Sequence, residues 1–526
     1  MATGSSDIVF VVPGQAGAMP TPPTVARGGR LKASVRVGIA RAGVEAVRVT
    51  ARPGDDVVIL AVANGPTLVL HPEDARDLMH AQAATTTRSS IAAAASGADE
   101  VAVPAQLGWP GLESQSTRGA TAGWLGQALL TGFHVLTGLA KDSAITLATA
   151  AVTAKLDGKV ESGVYRLDPG LLAPLKGSGR KLDQVPAAAD GGPLLVLVHG
   201  TFSDTPGTFG KLWTLHNPVV RQLFASYAGR VYGFDHPTLG LSPIGNALAL
   251  VRAMPAGARL HLLTHSRGGL VAELLARACS GDDIDAGALA AFSGADYAQH
   301  RSDLRALVDT AKAKALRLER VVRVACPARG TLLASKRLDA YLSILSWSLE
   351  LASIPVAPEL VAFLHEVARR RADPAELPGL EAMTPGSPVL GWLDAAPEPI
   401  AGELRVIAGD LQGDSIASWV KTLLSDAFFW TDNDLIVQTR SMYGGAARAP
   451  IENRAGATFL LESGAKVSHF NYFSNDDTVQ AILAALAEDR PAAFASIGPL
   501  SWAGVDAGGT RAAAATVAPA RGGGGA

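Results

Sequence analysis

The sequence predicts an α/β protein whose main domain is an open, doubly wound, mostly parallel sheet, preceded by a small β-rich module. Three observations carry this. From Gly191 onward, short continuous apolar runs alternate with helical stretches, which is how strands buried on both faces and their crossover helices read. Residues 259–277 pass from an apolar strand through a tight turn at Ser266 into an amphipathic helix. Between 335 and 392 only helical-looking material occurs, a lid-like insertion between two strands.

Taken in order, residues 1–80 alternate valine-rich runs at 33–37, 47–50, 56–60 and 67–71 with turn signals, as expected of the β-rich module. Residues 81–190 read as a linker, rich in Ala, Ser, Thr and Gly to about 115, followed by an apolar helical segment. Within it, 123–140 is uncharged and approaches the roughly 20 residues of a membrane span. Gln127, His134 and several glycines make a buried helix, or one in peripheral contact with a membrane, the preferred reading. The main domain is expected over 191–490, with strands at 194–198, 230–234, 259–263, 320–325, 403–408 and 457–462. The tail 504–526 ends in Arg-Gly-Gly-Gly-Gly-Ala and is expected to be disordered.

Bulk properties remove several classes of function. At 526 residues the chain is long enough for one large core and a further domain. A net charge of -2, from 46 basic and 48 acidic residues, offers no field for nucleic acid, so no such partner is expected. The first thirty residues lack a basic start followed by an apolar core, which makes a cytoplasmic location the expectation, with membrane association as a variant. Neither a P-loop, a well-placed dinucleotide-binding glycine motif nor a metal-ligand pattern such as H-E-x-x-H occurs, so neither cofactor nor metal is expected.

The turn Thr264-His-Ser-Arg-Gly-Gly269 has the form of a nucleophile elbow, G-x-S-x-G, with threonine at the first glycine. A serine hydroxyl becomes a useful nucleophile only when an imidazole takes its proton and a carboxylate holds that imidazole. Downstream, Asp432 and Asp434 precede the apolar run Leu-Ile-Val, and His469 follows the last expected strand. Two amides are needed for the developing oxyanion. One is expected from Arg267; the other comes from the loop His199-Gly-Thr-Phe202, at Thr201 or Phe202, with Phe202 favoured. Structural roles are expected for His236 as a turn former, for His261 and His265 as packing, and for Cys326 after its strand.

These pieces, His199-Gly-Thr-Phe, Thr264-His-Ser-Arg-Gly-Gly, Asn433-Asp-Leu-Ile-Val and Val467-Ser-His-Phe, resemble the α/β-hydrolase superfamily in its bacterial lipase and esterase branch, over about 191–485. Leu377 to Pro388 also resembles a lid-proximal segment of bacterial lipases and of GPI inositol-deacylase-like serine hydrolases. Residues 1 to about 185 match no family. The Asn433-Asp434 pair resembles the acid loop of many lipases, which prefers Asp434 and leaves Asp432 in reserve. The resemblance implies a serine hydrolase that cleaves carboxylic esters through Ser266, His469 and Asp434 by an acyl-enzyme route. An ester or lipid-like small molecule with an apolar acyl group is then the expected substrate. A second expectation, from a different class, is an effector or binding module in a bacterial multi-protein system, restrained by its N-terminal region or by a protein partner bound there.

Overall fold

In a computed structural model the structure describes residues 6–17, 30–38, 46–63, 67–83, 100–108, 127–138, 153–281, 284, 287, 289–331, 338–351, 358–370, 377–400, 402–410, 434, 436, 437, 439–452, 455–463 and 467–496. The expected tail at 504–526 and Asp432 lie outside these residues.

Among the described residues, the N-terminal module is an eight-stranded sheet with one helix. Its strands are β1 (Ile8–Ala16), β2 (Arg30–Val37), β3 (Ala46–Ala51), β4 (Val57–Val62), β5 (Thr67–Leu70), β6 (Glu100–Ala102), β7 (Gln106–Gly108) and β8 (Gln127–Thr137), with α1 (Pro72–Ala83) between β5 and β6. The order is β3-β1-β2-β8-β4-β5, with β6 on β1 and β7 on β8. The apolar segment expected as a helix is therefore strand β8, the middle of this sheet, hydrogen-bonded to β2 and β4. Leu130, Phe133, His134, Val135 and Leu136 are all buried. A strand covered on both faces reads as one apolar run, which periodicity cannot tell from a buried helix. The β-branched and aromatic residues Thr131, Phe133, Val135 and Thr137 at every second position were the available signal. The stretch read as a linker contributes β6 and β7. Among the described residues no helix is long and apolar enough to cross a membrane.

The second sheet has nine strands among the described residues: β9 (Gly163–Arg166), β10 (Lys181–Leu182), β11 (Leu194–Val198), β12 (Val231–Asp235), β13 (Arg259–His265), β14 (Arg317–Val324), β15 (Glu403–Asp410), β16 (Ala457–Ser463) and β17 (Ala495–Ser496). Their order is β10-β9-β12-β11-β13-β14-β15-β16-β17. The run from β12 to β16 is parallel throughout, and β9 and β17 close it antiparallel. This is the α/β-hydrolase arrangement. Its six parallel strands are those expected, with ends moved by a few residues, whereas β9 and β10 precede residue 191 and β17 follows 490.

Helices cover both faces: α2 (Thr205–Leu215), α3 (Asn217–Ser226), α4 (Pro243–Ala253), α5 (Gly268–Ala278), α6 (Ala298–Ala313), and, after the insertion, α11 (Thr439–Met442) and α12 (Asp476–Ala487). The insertion consists of α7 (Leu338–Leu351), α8 (Pro358–Arg370), α9 (Pro378–Glu381) and α10 (Pro388–Asp394). Starts follow local chemistry: Asp204, Ser242, Ser387 and Asn475 cap α2, α4, α10 and α12 with their side-chain oxygens. The chain passes from β11 to β12 in one direction and from β13 to β16 in the other, so the crevice lies beyond the carboxyl ends of β11 and β13.

The two sheets meet through the insertion. Helix α7 lies along β5, and α8 touches β4 and β5. Val69 N–H donates to Ser343 Oγ (3.0 Å), His71 N–H to Asp339 Oδ2 (2.8 Å), and Arg369 Nη1 to the Gly54 carbonyl (3.0 Å).

Candidate active site

Ser266 follows β13 with φ 52°, a left-handed conformation that a serine adopts only where the surroundings impose it. Its amide donates to the Val324 carbonyl (2.9 Å), tying the turn to β14, and its carbonyl accepts from Gly269 N–H (2.9 Å). Crowding explains the glycines. A Cβ on Gly268 would stand 2.4 Å from the Val198 carbonyl, and one on Gly200 would stand 2.8 Å from Ser266 Cβ. The loop after β11 and the turn after β13 therefore touch backbone to side chain.

His469 follows β16, and Asp434 lies on the chain between β15 and β16. His469 Nε2 is 2.9 Å from Ser266 Oγ, and its Nδ1–H donates to Asp434 Oδ2 at 2.8 Å. With Nδ1 carrying the proton, Nε2 is left to accept from the serine hydroxyl. Asp434 is fully buried, His469 nearly so, and Ser266 is 5% exposed. The carboxylate is held from several directions: Asp434 Oδ1 accepts from Ile436 N–H (3.2 Å) and Val437 N–H (2.9 Å), and its carbonyl accepts from His469 N–H (3.0 Å).

Of the two residues expected as oxyanion donors, Arg267 sits at the start of α5, whose dipole favours negative charge there. Phe202, at φ 57°, has its amide donating to Thr238 Oγ1 at 3.1 Å. Thr201, the neighbouring alternative, places its hydroxyl 3.7 Å from Met383 Sδ. Both line the cavity above Ser266.

Several contributions were not read from the sequence. The Arg267 guanidinium, wholly buried, donates to the carbonyls of Gly379 (2.9 Å) and Leu241 (2.6 Å) and to Asn246 Oδ1 (3.0 Å), so it fastens the elbow to α9 and α4. His265 does more than pack: its Nε2–H donates to the His469 carbonyl at 2.8 Å. His236 forms its turn as expected, with its amide on His199 Nε2 (3.1 Å) and its Nδ1–H on the Phe234 carbonyl (3.2 Å), and its ring stacks on His199. Asp157 accepts from the amides of Thr238, Leu239 and Gly240, holding the loop that carries Thr238. Apart from the bond of His236 to Phe234, these bonds join residues far apart in sequence, so no local pattern marks them.

Burial keeps the histidines around the site uncharged. It lowers His265 and His236 well below the ordinary 6.5, with neighbouring imidazoles adding to the effect, and takes His199 to about 4. Burial pushes the Cys326 thiol up to about 12, which removes it as a nucleophile.

The cavity over Ser266 has a volume of about 230 Å³. Apolar side chains from the insertion, Leu345, Leu349 and Leu360, face Phe202, Phe470 and Phe473 across it. Phe363 of α8 meets Phe202 with ring centroids 6.2 Å apart, closing the roof. Among the described residues no cluster suited to a metal ion occurs.

A family described as a domain of unknown function (DUF7379) matches residues 176–289 and 303–487. No curated protein matches the chain. Among solved structures, the chain is similar to the mature lipase BlEst2 of Bacillus licheniformis, at 18% identity over 58% of this chain and 96% of that one, TM-score 0.28. It is similar to EstA of Clostridium botulinum, at 12% identity over 64% and 97%, TM-score 0.37, and to Staphylococcus hyicus lipase, at 15% identity over 58% and 97%, TM-score 0.37. Likenesses of this strength say nothing about substrate, and the fold rests on strand order and on where Ser266, Asp434 and His469 fall along it.

Proposed function

The chain belongs to the DUF7379 family, a domain of unknown function, and from its site we propose that it is a serine hydrolase of carboxylic esters. One observation supports this above the others: a continuous line of hydrogen bonds from Ser266 Oγ through His469 to Asp434, assembled from three loops at the carboxyl edge of one sheet. That is the relay a hydroxyl needs to attack a carbonyl carbon.

In the proposed reaction His469 Nε2 takes the proton of Ser266 Oγ as the oxygen bonds to the ester carbon. The tetrahedral oxyanion takes up amide donors from Arg267 and Phe202, the latter exchanging Thr238 Oγ1 for the substrate oxygen. The alcohol departs with the proton held by His469, leaving an acyl-Ser266. Water then loses a proton to His469 as it bonds to the acyl carbon, and the acid departs as the bond to Ser266 Oγ breaks and His469 returns that proton to Oγ. Asp434 holds the imidazole in the required tautomer throughout. The apolar walls suit an acyl chain, and about 230 Å³, small for a ligand pocket, favours short to medium chains.

Labelling with a fluorophosphonate tests the reading. The folded protein should be modified at Ser266 and the Ser266→Ala protein left unmodified. Absence of labelling in the wild type, or labelling that survives the substitution, refutes it.

A second reading is favoured by the bonds from Val69 and His71 to α7 and from α8 to Gly54. The N-terminal sheet braces the same two helices that supply Leu345, Leu349 and Leu360 to the cavity. A protein partner binding that module would then act on access to Ser266.

A further inference from the structure

Asp434 Oδ2 has a second donor besides the imidazole: the Tyr472 hydroxyl at 3.1 Å. Tyr472 opens a 3-10 helix, Tyr472–Ser474, three residues after His469, so one short stretch of chain grips the same carboxylate oxygen twice. The phenol is 1% exposed, and burial together with the adjacent carboxylate raises its pKa well above 10, so it keeps its proton and can only donate here. The neighbouring strand is cut back to admit it. A Cβ on Gly409 of β15 would stand 2.0 Å from the Tyr472 hydroxyl oxygen.

We propose that Tyr472 is a positioning residue that sets the basicity of His469 by drawing part of the Asp434 charge away from the imidazole; this rests on the reading of His469 as the base. Asp434 Oδ1 is occupied by two backbone amides, so Oδ2 alone faces His469 Nδ1, and whatever charge Tyr472 draws from Oδ2 is charge the imidazolium does not feel. The sign follows. Without the phenolic donor, Oδ2 stabilises the charged imidazolium more, the pKa of His469 rises, and the base is protonated over a wider acid range. A stronger donor has the opposite effect. A phenol serving only as packing would produce neither.

The test uses the full chain, with Tyr472→Phe and with a ring-fluorinated tyrosine at 472, whose hydroxyl is more acidic and donates more strongly. The rate of Ser266 labelling by a fluorophosphonate and kcat/KM for p-nitrophenyl butyrate are followed against pH. Tyr472→Phe should move the acid limb to higher pH and lower kcat/KM at neutral pH about ten-fold, in keeping with the loss of one hydrogen bond to a charged group. The fluorotyrosine should move the limb to lower pH, and it decides alone if the Phe variant does not fold. Limbs that stay in place, or that move the same way in both proteins, overturn the proposal while labelling of Ser266 stands. A wild type that takes up no label at Ser266 overturns both this proposal and the reading of the base.

Discussion

Acid should unfold this protein over a narrow range, and the reason lies in its buried imidazoles. Burial lowers the pKa of His134, His199, His236, His261, His265, His300 and His365, taking His199, His261 and His365 to about 4. The unfolded chain titrates these groups near 6.5. Below 6.5 the unfolded state therefore binds protons that the folded state refuses, so stability falls as pH falls until the folded values are reached. Each such group changes stability by about 1.4 kcal/mol per pH unit. Carboxyls oppose them: burial raises Glu462 to about 7, so the folded state holds a proton there that the unfolded chain lacks between about 4.5 and 7, and burial raises Asp204, Asp235 and Glu350 as well. Seven imidazoles against four carboxyls leave the unfolded chain ahead in protons below 6.5, so the net effect of acid is destabilising. Urea titrations at pH 8, 7, 6 and 5 should show a shallow change above 7 and a collapse of the midpoint below 6.5. His365→Leu, which removes an imidazole whose Nε2 meets no partner among the described residues, should reduce the slope by about 1.4 kcal/mol per pH unit. A midpoint that stays level or rises from pH 7 to 5 refutes the reasoning.

Replacing Asp434 by Asn keeps the shape but offers Nδ1 of His469 no anion, so kcat for an activated ester should fall about 10⁴-fold, whereas Asp432→Ala should leave it within a few-fold. Comparable losses in the two proteins would reopen the assignment of the acid. Across p-nitrophenyl esters from acetate to palmitate, kcat/KM should peak at short or medium chains, because the cavity is small and roofed by α7 and α8; a maximum at palmitate would show that the roof opens. Asp339→Ala removes the acceptor of the His71 amide, so it should loosen α7 from β5 and change KM for the longer esters more than kcat for acetate. Unaltered profiles would dissociate the N-terminal sheet from access to the site.

The parallel strands were legible, as was the meeting of Ser266, Asp434 and His469 in loops beyond them, because both arise from local necessity. A strand buried on both faces must be apolar along its length, and loops after such strands must carry the reacting groups. β8 misled for the same reason: it too is covered on both faces, and 123–140 was judged by apolar length, not by its two-residue alternation. β9 and β10 were missed because four residues and two residues leave no period to read. Nothing local could reveal that Arg267 reaches Gly379, 112 residues away, or that α7 rests on β5. Such contacts arise only when distant segments are brought together. Tyr472 is the intermediate case, since its spacing of three from His469 is local but its acceptor is not.

The threonine at the first position of the elbow shows why a motif is safer read through its contacts than through its letters. Small residues are needed where the turn meets other segments of the chain. At this elbow those places lie after the serine, where Gly268 abuts the Val198 carbonyl and a Cβ on Gly269 would stand 2.4 Å from Cys326 Sγ. Position 264 is different: Thr264 is still within β13, paired with Val198 on one side and Arg323 on the other, and its side chain is buried in the sheet. A β-branched residue suits that strand, and the left-handed φ falls two residues later, on Ser266 itself. The constraint that the usual glycine meets is thus carried here by Gly200, which clears space beside Ser266 from the opposite loop. Exchanging Thr264 for Gly should accordingly leave the turn intact, whereas a methyl group at Gly268 must displace either β11 or Ser266.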